Sequence, residues 1–508
     1  MIINDIRLPF THTNEQLENK IRQKSGLKNI YRYNIKRKSI DARNKKNILY
    51  VYSVEAFAKK EEYIEKKILF DEIKDTNSKN RPVIAGAGPA GLFCGLYLAK
   101  AGLRPILLER GKEVSQREED VENFKSNRIL DENSNIQFGE GGAGTFSDGK
   151  LNTGVSGTIA KEVLEVFARF GAGEEITYTA KPHIGTDVLR LVVENIRKEI
   201  IALGGEFRFN ACLRDFDASG GSIKKVCADI DIDTDCLVLA VGHSARDTFE
   251  LVLNKGALME PKPFSVGLRI EHPQSLINNS QYGMEHKLLP AADYKLSCHL
   301  PSGRGVYTFC MCPGGYVVGA TSEKNKVVTN GMSYRARDGK NANSALLVSV
   351  TPDDFKNGVL SGVEFQRKIE KNAFDEGGEN YDAPCQLLGD FMKNQTSDSF
   401  GKVEPTCFPG VKKSDLTKVL PDFVCDGLKA AIPVMAQKIK DFDLYDAVLT
   451  APETRSSSPV RILRNEDFES NIKGLYPVGE GAGYAGGITS SAADGIKVAL
   501  KIIEKSRG

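Results

Sequence analysis

Between residues 83 and 111 the chain reads VIAGAGPAGLFCGLYLAKAGLRPILLERG: a short apolar run, a glycine turn, an apolar helix-length stretch to about Ala101, and a second apolar run at Pro105–Leu108. Short apolar runs punctuated by glycine predict strands, and the stretch between them predicts a helix, so the unit is β-α-β. Before it, residues 14–24 space their apolar positions as a helix, while RYNIKRKSIDA and NILYVYSVEAF alternate as two strands around a basic turn. After it, residues 158–203 predict helices, followed by a strand near Glu206–Asn210, a hairpin at 223–233 and the apolar strand CLVLAVGH at 236–243. From 256 to 445 the pattern shifts to extended segments, among them SVGLRIE and a hairpin YTFCMCPGGYVVGAT, with helices at about 364–376 and 424–440. Residues 475–505 return to strand, turn and helix.

Composition narrows the picture only locally. A chain of 508 residues with 41% hydrophobic and 27% charged positions is globular and holds several domains, and its net charge of +2 supplies no general attraction to nucleic acid or membrane. Residues 1–80 nevertheless carry an excess of +7, leaving −5 on the remainder. Their cluster Lys36, Arg37, Lys38, Arg43, Lys45 and Lys46, beside Tyr31 and Tyr33, suits either an RNA or acidic partner or a solvated face. Nucleic acid is not expected as a partner on this charge balance. The N-terminus lacks a basic-then-apolar leader, and no uncharged apolar run reaches about 18 residues, so a cytoplasmic location and no membrane partner are expected. Ten cysteines without a C-x-x-C pair fit free thiols in a reducing compartment. Strand alternation would put Cys310 and Cys312 on one face, either as a redox or metal pair or as simple packing; no metal site is expected.

Gly86, Gly88 and Gly91 fill G-x-G-x-x-G directly between strand and helix, followed by Pro89 and Ala90 within the turn, and Glu109 with Arg110 ends the next strand. That context is what a dinucleotide requires: a tight turn, backbone open to a pyrophosphate, close helix packing, amide donors at a helix N-terminus, and an acid for ribose hydroxyls. A carboxylate at Glu109 opposes a 2′-phosphate, which favours FAD or NAD over NADP. In GEGGAGTFSDGK, the glycines 141, 142, 144 and 149 stand with Thr145, Ser147, Asp148 and Lys150, a density suited to amides meeting a flat or anionic group, or to a turn-rich loop. A further helix opens near Gly486, Gly487 and Ile488.

Two segments resemble those of two-domain flavoproteins related to glutathione reductase and fumarate reductase. Ala240, Val241 and Gly242 look like the strand end that reaches the dinucleotide from its far side, and Gly479–Glu480 looks like the Gly-Asp pair that holds the ribityl or pyrophosphate region, although helix capping is the other reading of Glu480. The runs SNIQFGEGGAGTFSDGKLNTG (134–154), KPHIGTD (181–187), VGHSARDTF (241–249), FCMCPGGYVV (309–318), ETRSSSPVRI (453–462) and YPVGEGAGYAGGITSSAADGIK (476–497) further resemble an uncharacterised family of bacterial FAD-dependent dehydrogenases over nearly the whole chain. The resemblance implies FAD, with Gly141, Gly142, Gly144, Thr145, Ser147, Asp148, Gly149 and Lys150 along the flavin ring and Gly486, Gly487 and Ile488 at its pyrimidine side. The expected fold class is α/β: a Rossmann-like FAD-binding domain split into residues 81–255 and 446–508, an inserted α+β substrate domain at 256–445, and a small basic α/β domain at 1–80, bounded at DTNSKNRP (75–82).

Arg269 at a strand end, and Arg455 and Arg461 around a serine-rich turn, offer donors for an anionic substrate or for salt bridges. His183 and His243 offer proton transfer beside the flavin or structural hydrogen bonds. The expected function is an FAD-dependent oxidoreductase acting on a small organic substrate, anionic if the arginines clamp it, by hydride transfer at flavin N5, with NAD(P)H as a transient donor. An NAD-linked dehydrogenase, or a flavin-containing sensor with a basic interaction module, are the alternatives.

Overall fold

The computed structural model describes residues 1–64, 67–76, 81–151, 157–355 and 358–507; residues 77–80 of the expected boundary and 152–154 of the run at 134–154 lie outside the described residues. The N-terminal unit is an antiparallel sheet of Ile2–Pro9, Leu49–Phe57 and Arg32–Asp41, in that order, under the helix Asn14–Ser25. Leu17 and Ile21 of the helix bury against Ile6, Tyr52 and Val54, and Thr13 with Gln16 closes a capping box at its start. The strand Ile2–Pro9 escapes a reading by alternation because its register slips between Ile3 and Ile6. Several cations of the basic cluster have partners inside the molecule: Lys36 pairs with Glu55 at 2.5 Å, Arg43 with Asp41 at 2.6 Å, and Lys45 donates to the Ser280 carbonyl at 2.7 Å.

The second layer is a five-stranded parallel sheet, in the order Leu475–Pro477, Leu237–Leu239, Val83–Ala85, Ile106–Leu108, Glu206–Arg208. Its four apolar strands are buried throughout, as strands covered on both faces require. The helices Pro89–Lys100 and Ile488–Lys505 both start at the carboxyl ends of these strands and lie against each other, with Gly495 fitted onto the backbone of Ala90. The sheet therefore brings residues near 86 and near 487 together. The segment read as a hairpin at 223–233 is part of a small three-stranded sheet with Asp215–Asp217.

The third layer is a seven-stranded sheet ordered Ser297–His299, Gly305–Cys312, Asn341–Val350, Phe264–Pro273, Val448–Glu453, Ala383–Leu387, Val411–Lys413. Its apolar face packs on the helix Asp422–Ala436, where Leu268, Val348, Leu428 and Ile432 share one core. The strand Val448–Glu453, buried throughout, carries this sheet past the residue-445 boundary read from the sequence. The expected hairpin across Cys310 and Gly314 does not form. Gly305–Cys312 pairs with Asn341–Val350, whereas Tyr316–Gly319 pairs with Thr329–Met332 in a separate ribbon. A bulge between Phe309 and Cys312, with Cys310 at φ 41°, turns the chain away. It also overturns the shared face expected for the two thiols, since Cys310 is exposed and Cys312 buried.

Candidate cofactor and active site

One cleft runs along the carboxyl ends of the parallel sheet, from Ala211 and Cys212 beside Glu109 and Arg110, past the glycine turn, to Phe309 and Glu453 of the large sheet. The glycines of the turn divide by what crowds them. A Cβ on Gly86 would be driven into the Ala240 carbonyl, and one on Gly91 into the carbonyl of Gly86, so both are dictated by packing. A Cβ on Gly88 would meet nothing nearer than the Gly142 Cα at 3.8 Å, and at Gly242, Gly486 and Gly487 nothing lies within 4 Å. No neighbouring atom crowds these four positions; Gly242 and Gly487 need glycine for their positive φ of 74° and 153°, whereas Gly88 and Gly486 leave backbone open to a ligand. The helices Pro89–Lys100 and Ile488–Lys505 both begin here without a side-chain cap, which leaves N-terminal amides for a pyrophosphate or carbonyl acceptor. This donor set and open backbone fit FAD.

Glu109 lines the cleft while its carboxylate accepts from the amides of Ala87 (2.9 Å), Gly111 (2.9 Å) and Gly139 (3.0 Å). It fastens the glycine turn to the next loop and keeps lone pairs for a ribose. Arg110 pairs with Asp247 at 2.8 Å and stacks 4.4 Å from the Phe138 ring. The loop 139–150 has a scaffold that the sequence did not announce: buried Arg117 donates to the carbonyls of Asn135, Ile136 and Glu140. Of the loop residues, Gly142, Gly144, Ser147, Asp148 and Lys150 line the cleft with Pro89, Ala90, Ala240 and Ile488, whereas Gly141, Thr145 and Gly149 pack behind it. Asp148 is held by Arg337. Gly479 is tied to Asp494 at 2.8 Å, and its neighbour Glu480 lines the cleft, where burial pushes its carboxyl up to about 7 against the pull of Lys262.

The opposite wall is built of paired side chains. Arg455 lines the cleft but is engaged: Nε and Nη2 donate to Glu370 at 3.1 and 2.9 Å, and Nη1 to Ser244 at 3.1 Å and Ser322 at 2.5 Å. Glu370 also receives Arg246 through two bonds of 2.7 and 2.9 Å and the Thr454 hydroxyl at 2.7 Å. Burial alone would raise the Glu370 carboxyl, but the two guanidiniums hold it well below the usual carboxylate range. Arg455 is accordingly an anchor between the two large domains rather than a free anion clamp. His243 lines the cleft beside this network; burial, with the charges of Arg455 and Arg246, pushes its imidazole down to about 3, so it stands neutral and is a weak base.

Three other expected catalytic residues are not brought to the cleft. His183 meets the Arg335 carbonyl at 3.3 Å and pairs through its backbone with Lys150, setting that lysine's register. Arg461 pairs with exposed Glu260 at 3.3 Å. Arg269 is fully buried, bonded to Glu453 at 2.9 Å and to the Cys310 carbonyl at 3.0 Å, because a guanidinium inside a sheet must find acceptors. Sequence reasoning missed the residue it holds: Glu453 is 4% exposed and lines the cleft with Phe309, Cys310 and Asn330. The only signal was a lone acid ending an apolar strand. Among the described residues no cluster of three or more potential ligands could hold a metal, and no helix is long and apolar enough to cross a membrane.

Residues 263–456 match the family described as FAD-dependent protein, C-terminal domain-like, and residues 1–57 match a domain of unknown function. A Clostridium beijerinckii protein, described as uncharacterized, is 48% identical over 99% of this chain and 98% of its own length. Among solved structures, CtdE in complex with FAD is 12% identical over 83% of this chain and 84% of that one, with a TM-score of 0.36. A variant of the halogenase PltM in complex with FAD is 10% identical over 84% and 69%, with a TM-score of 0.40.

Proposed function

This chain belongs to the family of the clostridial protein and has FAD as its cofactor, and from that premise we propose that it is an oxidoreductase acting on a small organic substrate. The observation that carries the reading is that one cleft joins two unlike walls, open backbone at Gly88, Gly242, Gly486 and Gly487 on one side and Phe309, Asn330 and Glu453 on the other. Bound FAD supplies two-electron oxidation and reduction at its N5. The residues proposed to hold it are Gly86–Ala90 and Glu109 for the pyrophosphate and ribose, and Gly142, Gly144, Gly486, Gly487 and Ile488 for the ring. The large-sheet wall excludes water and presents acceptors to the substrate. NAD(P)H is the proposed transient donor. Ten unpaired cysteines support a reducing, cytoplasmic setting.

The test is anaerobic mixing of the FAD-loaded protein with NADH, NADPH and then small organic acids, following the visible flavin absorbance. Rapid bleaching by one donor class is expected. Flavin that stays oxidised with every donor, while still bound, would overturn the oxidoreductase reading in favour of a flavin-containing sensor.

A further inference from the structure

Two polar groups in the cleft have no use in the arrangement described so far. Glu453 is buried and bonds Arg269 through Oε2 only; Oε1 has no hydrogen-bond partner among the described residues, yet is not sealed from the cleft that the residue lines. A buried acceptor left open in this way calls for a donor. Lys150 lines the same cleft, half-buried, and makes no ion pair among the described residues, so its ammonium is open to an anionic group in the cleft. Its backbone is fixed by the bridge to His183. The Cys310 thiol lines the same cleft and feels both charges. Although the residue is exposed at the surface, loss of water around its thiol within the cleft and the charge of Glu453 push that thiol up, so it is a neutral thiol rather than a thiolate nucleophile. The chemistry of the pocket therefore rests on the cation and the carboxylate.

We infer that this end of the cleft binds a small hydroxy acid, with Lys150 pairing with the substrate carboxylate and Glu453 Oε1 accepting a hydrogen bond from its hydroxyl. The inference rests on the oxidoreductase reading and names its substrate class. Arg269 is a positioning residue: it reaches no part of the cleft but fixes Glu453 from behind, and Gly331 leaves room for its guanidinium. Beside Lys150, the charged or titratable groups facing Glu453 are Arg269, Cys310 and Tyr307.

The experiment uses the FAD-loaded protein and titrates lactate, benzoate and, as neutral controls, lactamide and benzamide, reading the visible flavin spectrum. The acids should perturb the spectrum and the amides should not. Lys150→Met, measured on its FAD-loaded fraction, should weaken acid binding at least tenfold. Glu453→Gln, which can still accept from Arg269, should keep benzoate binding and remove the preference for lactate over benzoate. Equal binding of acids and amides, unchanged acid affinity in FAD-loaded Lys150→Met, or an unchanged preference for lactate in Glu453→Gln would each overturn the proposal. A wild-type protein that binds the acids as expected but is reduced by no donor would instead sink the oxidoreductase reading, so the two failures are separable.

Discussion

The two walls of the cleft are made of different material. On the nucleotide side the surface is backbone: glycines that no protein contact requires, and helix ends without caps. On the large-sheet side it is side chains locked in pairs, Arg455 and Arg246 on Glu370, and Arg269 on Glu453. A backbone wall is specified by what is missing, and tolerates no addition. A paired wall is specified by partners, and tolerates no subtraction. The first should fail by losing its ligand, the second by losing its fold.

The largest effect is expected from subtraction. Glu370→Ala strands two buried guanidiniums and should cost about 3–5 kcal/mol of stability, read by urea unfolding, with FAD content falling only as the fold does. If FAD affinity dropped at unchanged stability, the contrast between the walls would collapse. Next comes addition at a packed glycine. Gly91→Ala pushes a methyl into the Gly86 carbonyl and should cost about 1–3 kcal/mol together with FAD, whereas Gly88→Ala meets open space and should leave stability within about 0.5 kcal/mol while weakening FAD about tenfold. Equal destabilisation by the two alanines would refute the division drawn between them. A pH-linked effect belongs to Glu480, whose carboxyl is raised to about 7 by burial. A raised carboxyl contributes stability that is present at low pH and lost as pH rises from about 4.5 through about 7. In protein stripped of FAD the loss should be at most about 3 kcal/mol, and Glu480→Gln should flatten it.

The same contrast governs what could be read from the sequence. Gly86, Gly91 and Glu109 were legible because strand, turn and helix succeed one another locally, and any chain making that turn beside a dinucleotide meets the same crowding. The meeting of residues 86 and 487 was legible only through resemblance, since it depends on the strand Leu475–Pro477 joining the sheet next to Leu237–Leu239. The paired wall was not legible. Nothing near Arg269 in the sequence points to Glu453, and nothing near Arg455 to Glu370; each pairing spans many residues and follows from sheet register and helix placement. Of the two roles open to His183, proton transfer or a structural hydrogen bond, its ring takes the second by facing a carbonyl, and a bulge of one strained residue redirects Cys310. Charged residues inside a fold are defined by partners that local pattern does not encode.

The parallel sheet has a consequence for biogenesis. Its central strand leaves the ribosome early, but the neighbour Leu475–Pro477 and the helix Ile488–Lys505 follow only after the whole large-sheet domain has been made. Until then the nucleotide wall lacks one of its two helix N-termini and the amides at Gly486 and Gly487. A nascent chain can close its large sheet without these elements, whereas the flavin site is complete only once residues 475–505 have been added.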